Sequence, residues 1–246
     1  MYKEWLDVPY GEKDVAKRAG ARWDPTARRW YAPRPGMKEL EKWKAKPPVP
    51  SVLPGEDRNF GSGLYVDLIP KSCWFTNVRN SVSEVDWKRI RRMVIERAGK
   101  RCEICGSSES LEAHERFEFD DAKQVQKLRR LICVCGPCHR TTHFGFAQLK
   151  GLGIEAAQHL TEVNGWDSSE ASFHVNQAFE VWRRRSELEW SLDISMLDGA
   201  RIHANATNTP SERNIQSELK TRAVRGTGWG SRFGHSWYGR IPRINL

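Results

Sequence analysis

Apolar positions in this chain come in short, separately punctuated groups, and each group predicts its own element. Residues 2–10 contain a short alternating strand, residues 11–19 carry Val15 and Ala19 at helical spacing, and Gly20 ends that helix. Residues 22–31 read as two strands around the Asp24-Pro25 turn, so residues 1–45 are expected to form a small α+β module. Closely spaced prolines at Pro47, Pro48, Pro50 and Pro54 forbid helix, and residues 46–63 are expected to be an extended linker.

A second domain is predicted over residues 64–198. Residues 64–69 read as a short strand. Ser83 to Asp86 has capping-box character, with Asp at the third helical position, and starts a helix with Trp87, Ile90 and Val94 on its apolar stripe and Gly99 at its end. Residues 153–163 form a helix closed near Asn164-Gly165. Ser168 caps a longer one from Ser169 to about Leu188, with Ala171, Val175, Ala178, Phe179 and Trp182 facing inward. Residues 189–196 add a strand. From residue 199 the apolar period is lost among Gly, Ser, Asn and Thr, which predicts a disordered tail over 199–246.

Charge sharpens this picture. The 246 residues carry a net charge of +9, and the stretch from residue 199 contributes +6 of it. Such a balance points to a polyanionic partner, nucleic acid and most simply DNA, because neutralised phosphates release counterions. In the tail, Trp229, Phe233, Trp237 and Tyr238 stand among arginines and glycines as stacking groups. In the module, Trp23, Arg28, Arg29 and Trp30 combine rings for base stacking with guanidiniums for phosphate. The competing reading of those rings is that a module too small for a large core fills it with tryptophan. No apolar run approaches the roughly 18 residues of a membrane span, and the first residues lack a signal-peptide pattern. The expected compartment is the cytoplasm, where thiols stay reduced and open to metal. Oligomeric state is not set by any of these features.

The chemistry gathers between Cys102 and His143. Two CxxC pairs, Cys102/Cys105 and Cys135/Cys138, are separated by 29 residues, and His114, His139 and His143 lie between and after them. Two such knuckles supply the four thiolates that tetrahedral Zn²⁺ requires, and four thiolates leave no open position, so this zinc is structural. Cys73 and Cys133 fall outside the pairs and read as small buried residues, although Cys133 alternates with Cys135. His139 and His143 are four apart and share a helix face. His159 and His174 lie within predicted helices and read as structural.

The stretch Leu111-Glu112-Ala113-His114-Glu115, followed by Cys135-Gly136-Pro137-Cys138-His139 and His143, resembles the zinc-stapled HNH (ββα-metal) endonucleases. That resemblance implies a central ββα-metal, treble-clef zinc domain with flanking helices, and phosphodiester hydrolysis in defence or mobile-element DNA processing. It also implies a divalent cation, Mg²⁺ or Mn²⁺, held by His139 and His143; imidazole suits Zn²⁺ or Ni²⁺ as well. His114 and Glu115 are the implied catalytic pair in one of two registers: His114 is the general base, or His114 is a ligand and Glu115 takes the base position. The family's middle Asn has no counterpart in residues 124–130. The N-terminal stretch from Val8 to Pro33 resembles a small domain of unknown function appended to plasmid primases and nucleases. The rival reading of the whole is a non-catalytic zinc module that binds nucleic acid or protein.

Overall fold

The computed structural model describes residues 2–74 and 76–204, and the chain is α+β. Its first unit is a three-stranded antiparallel sheet in the order β1-β3-β2, with β1 at Glu4–Leu6, β2 at Arg22–Asp24 and β3 at Arg29–Ala32. Helix α1 (Lys13–Arg18) packs on one face. The core residue of α1 is Ala16, which is fully buried, whereas Val15 is 44% exposed. The apolar spacing therefore located the helix but chose the wrong face, because a six-residue helix closed by Gly20 at φ +96° needs only one small inward residue. The Asp24 carboxylate accepts the Thr26 and Ala27 amides at 2.9 Å each, which makes the predicted turn between β2 and β3.

The second unit is organised by a long antiparallel hairpin, β4 (Glu112–Asp120) with β5 (Val125–Val134), to which β6 (Ser191–Asp193) adds in parallel. Alternate residues of the hairpin serve two different cores. Ala113, Leu131 and Cys133 pack against α2 (Val78–Ser81) and α3 (Glu84–Arg97). Ile132, Val134 and Cys135 face α4 (Gly136–Thr142), α5 (Phe144–Leu149), α6 (Gly153–Asn164) and α7 (Ser168–Arg185). Leu131, Ile132 and Cys133 are all essentially solvent-free, so the hairpin is a central layer. Fully burying each aliphatic side chain contributes about 1.5–3 kcal/mol. Ser83 caps α3, its hydroxyl accepting the Asp86 amide at 3.1 Å. Gly165, at φ +65°, closes α6 as expected.

Several boundaries shift from the sequence expectation. Residues 46–63 are a strap rather than a free linker: Val49 and Leu53 are buried in the α3-side core. Within the strap, Glu56 receives both guanidinium nitrogens of Arg97 at 2.6 and 2.7 Å and the Leu131 amide at 3.0 Å. Prolines forbid helix, but they do not forbid burial. Residues 64–69 join no ladder, yet Leu64 and Val66 are buried and the Val66 amide donates to His174 Nε2 at 2.9 Å. Asp167, not Ser168, caps α7 through a reciprocal box with Glu170. The ordered core also runs past residue 198, because Ala200 and Ile202 are buried with Leu197. The tail expectation from residue 205 onward, including Trp229, Phe233, Trp237 and Tyr238, lies outside the described residues. No described helix is long and apolar enough to cross a membrane.

Candidate functional site

Two ligand clusters sit at the joint between the hairpin and α4. The first is Cys102, Cys105, Cys135 and Cys138, whose sulfurs all lie within 4.8 Å of one another, with Cys105 Sγ and Cys135 Sγ at 3.5 Å. Four thiolates at about 2.3 Å from one tetrahedral ion stand about 3.8 Å apart, so the set fits zinc. Backbone builds each knuckle. The Gly106 amide donates to Cys102 O at 2.9 Å with Gly106 at φ +79°, and the His139 amide donates to Cys135 O as α4 begins. Glu103 ties the first knuckle to β5, its carboxylate accepting the Cys133 amide at 2.7 Å while Arg58 and Arg130 hold its other oxygen. The thiols hydrogen-bond one another, and the bond from Cys138 pulls Cys102 down to about 4, which favours thiolate in the cluster. Cys73 and Cys133 stand outside the cluster with thiols pushed up to about 11 by burial, as expected of inert core residues.

The second cluster is His114, His139 and His143, each offering one ring nitrogen within 4.8 Å of the others. Ring centroids are separated by 5.1, 5.0 and 4.8 Å. His114 stands on β4 opposite Ile132, on the face that α4 covers; α4 brings up His139, and its C-cap residue is His143. In each ring the chemistry leaves a nitrogen for a shared ligand. His139 Nδ1 is engaged by Glu112 Oε2 at 3.1 Å, His143 donates to the Asp67 backbone carbonyl, and His114 Nε2 is buried without a partner. Such outer partners fix which nitrogen faces a metal.

Electrostatics keeps the site ready for a cation. Burial drives His114 well below its ordinary value, helped by His143, Arg116 and His139. Burial and the charges of His139 and Arg116 bring His143 to about 3. Neutral imidazole is the form that binds metal, so both rings are ligand-ready at neutral pH.

Glu115 does not join this cluster. Alternation along β4 turns it to the α2 side, opposite Leu131, where burial raises its carboxyl while its own amide, His139 and the Arg79 and Val78 amides pull it back. The module residues are likewise divided. Trp23 is 48% exposed and meets the half-buried Trp30 edge-on at 5.6 Å. Arg28 is exposed in the turn at φ +48°. Arg29 lies on the opposite face of the sheet, 5.1 Å over the Trp5 ring and 3.5 Å from Asp7. Trp30 packs against the small core, as the packing reading expects, while Trp23 stays half exposed.

His174 is structural, as expected. His159 is not a mere helix-face residue, because its Nε2 lies 3.2 Å from Cys138 Sγ. Glu112 and Asp67 join the site beside the predicted residues. Glu112 was legible, since it precedes His114 by two on a strand and must share its face. Asp67 acts through its backbone, which no side-chain pattern reports.

Residues 3–44 match the model of a domain of unknown function, DUF5710. Two proteins of Escherichia coli, each called DNA primase TraC, are similar to the same N-terminal region. One is 55% identical over 40 residues, which is 16% of this chain and 4% of the primase. The other is 46% identical over 43 residues, 17% of this chain and 3% of the primase. The chain therefore spans only a small fraction of the curated relatives it matches. No solved structure matches it.

Proposed function

We propose that the chain is a metal-dependent HNH-type DNA endonuclease that hydrolyses phosphodiester bonds, acting in defence or mobile-element DNA processing. The observation that carries this reading is the imidazole triad: a strand–strand–helix unit converges His114, His139 and His143 on one point, with outer partners on two rings and an orphaned buried nitrogen on the third. A divalent cation held by His114, His139 and His143 would supply Lewis-acid polarisation of the phosphodiester and charge stabilisation of its departing oxygen.

The three residues then have distinct tasks. His139 approaches from α4 and His143 from the residue that caps its C-terminus, and His114 closes the set from the strand. This favours the register in which His114 is a ligand. Three neutral imidazoles without a carboxylate donor suit Mn²⁺, Ni²⁺ or Zn²⁺ better than Mg²⁺, which prefers oxygen. Glu115, facing away, is not assigned the base. The thiolate cluster fixes the start of α4 and so holds two of the three imidazoles in place.

The N-terminal module, similar to part of a primase, adds a second nucleic-acid contact through Trp23, Arg28, Arg29 and Trp30. A non-catalytic zinc module is the second reading, favoured by the orientation of Glu115 and the missing Asn. The deciding experiment is cleavage of plasmid and phage DNA with Mg²⁺, Mn²⁺, Ni²⁺ or Zn²⁺. Cleavage is expected with the imidazole-preferring ions. His114→Ala and His139→Ala should each cost at least about a hundredfold in rate with little change in affinity for uncut DNA, and Glu115→Ala should cost less. Absence of cleavage of duplex, single-stranded and modified DNA across these metals would leave the binding module.

A further inference from the structure

We propose that duplex DNA is seated on an arginine track, Arg79, Arg91, Arg92 and Arg29, which leads from the imidazole triad to the N-terminal module. The proposal rests on the nuclease reading only in taking DNA as the ligand of this face. The track starts at Glu112, the exposed edge of the triad, whose carboxylate holds His139. Arg91 of α3 donates to the Leu111 carbonyl at 2.7 Å, one residue away, and Arg79 of α2 acts on the same Glu112 carboxylate. Both arginines are exposed. Arg92 follows Arg89 by three residues on α3 and so shares the face on which Arg89 donates to the Pro47 carbonyl, and its charge acts on Arg29.

The module is not free to move that arginine away. Lys46 Nζ meets both oxygens of Asp86 on α3 at 3.0 Å, Arg89 donates to the Pro47 carbonyl, and the Tyr10 amide reaches Glu84 at 3.3 Å. Arg29 is consequently held beside a like charge, with a long 3.5 Å contact to Asp7 and a buried Nε that has no partner. Two guanidiniums facing each other across a fixed joint repel, and a phosphate between them reverses the sign of that energy. Of the acids on this path, Glu112 is committed to His139, and Glu96 offsets Arg29. Trp5 lies under Arg29, and the exposed Tyr10 stands at the same joint. Guanidiniums in a row read phosphate backbone rather than base edges, and a duplex carries the densest such array, one charge per about 1.7 Å of axis.

The test is binding of a short fluorescent duplex to the zinc-loaded full chain, without other added divalent cation, across a salt series, so that affinity is read without cleavage. Arg79→Ala, Arg92→Ala and Arg29→Ala should each weaken binding several-fold and reduce the salt slope by about one phosphate contact, while the corresponding Lys variants keep the slope. Arg184→Ala, on exposed α7 surface, serves as the control, and matched thermal midpoints exclude misfolding. Unchanged affinity and slope in the three track variants would overturn the proposal, as would tighter binding of a single strand of the same length. Altered slopes in a chain that cleaves nothing would uphold the track and remove the nuclease reading instead.

Discussion

Glu112 gives the sharpest quantitative handle on the imidazole triad. Its carboxylate lies 3.1 Å from His139 Nδ1, and its carboxyl is held below the usual range first by that contact and then by Arg91 and Arg79. Glu112→Gln keeps an acceptor and removes the charge; Glu112→Ala removes both. Loss of such an outer partner costs about 10–100-fold in metal affinity, or roughly 1.4–2.7 kcal/mol. The Glu112 side chain is 48% exposed, and solvent screening discounts the charged part of the interaction. The Gln variant therefore belongs at the tenfold end and the Ala variant between the limits. The assay is titration of Co²⁺ into protein whose thiolate site is already zinc-loaded, followed by visible absorption and by calorimetry. Unchanged Co²⁺ affinity in both variants, beside its loss in His139→Ala, would show that Glu112 is a surface carboxylate that happens to lie near an imidazole.

Two further outcomes follow from the site. The purified chain is expected to carry about one zinc at the thiolate cluster, and Cys102→Ser or Cys138→Ser should unfold the second unit; a metal-free protein of equal thermal stability would refute the premise. His143 titrates at about 3 when folded against 6.5 ordinarily, so below pH 6.5 the unfolded chain takes a proton that the folded chain refuses. Stability is present above pH 6.5 and falls by about 1.4 kcal/mol per unit as pH drops towards 3. His143→Gln should remove about 1 kcal/mol of acid sensitivity between pH 6.5 and 5.5, measured by urea unfolding with the thiolate metal retained; parallel curves would refute it.

Much of this was legible in the sequence because local chemistry dictates it. The CxxC spacing, the Ser83 cap, the Gly165 stop and the i,i+4 pair His139/His143 are short-range signals, and the fold honours each. What was missed depends on long-range partners. Nothing in the sequence separates Arg89 from the other cations of α3, but it is buried against Asp86 at 2.7 Å. Arg116 carried no signal at all, yet it is fully buried with its guanidinium 4.1 Å from the Tyr65 ring. The choice between His114 and Glu115 could not be made from their adjacency. It turns on which face of β4 meets α4, a fact of packing between elements.

The buried strap has a practical meaning for anyone cutting or recombining this chain. A Pro-rich run invites dissection, yet removing residues 46–63 would take Leu53 and Glu56 out of the second unit and leave Arg97 facing an empty carboxylate position. The boundary for grafting the small module elsewhere lies at Lys46, whose amide still donates to Asp7 at 3.0 Å while its Nζ meets Asp86, and everything from Pro47 onward belongs with the second unit.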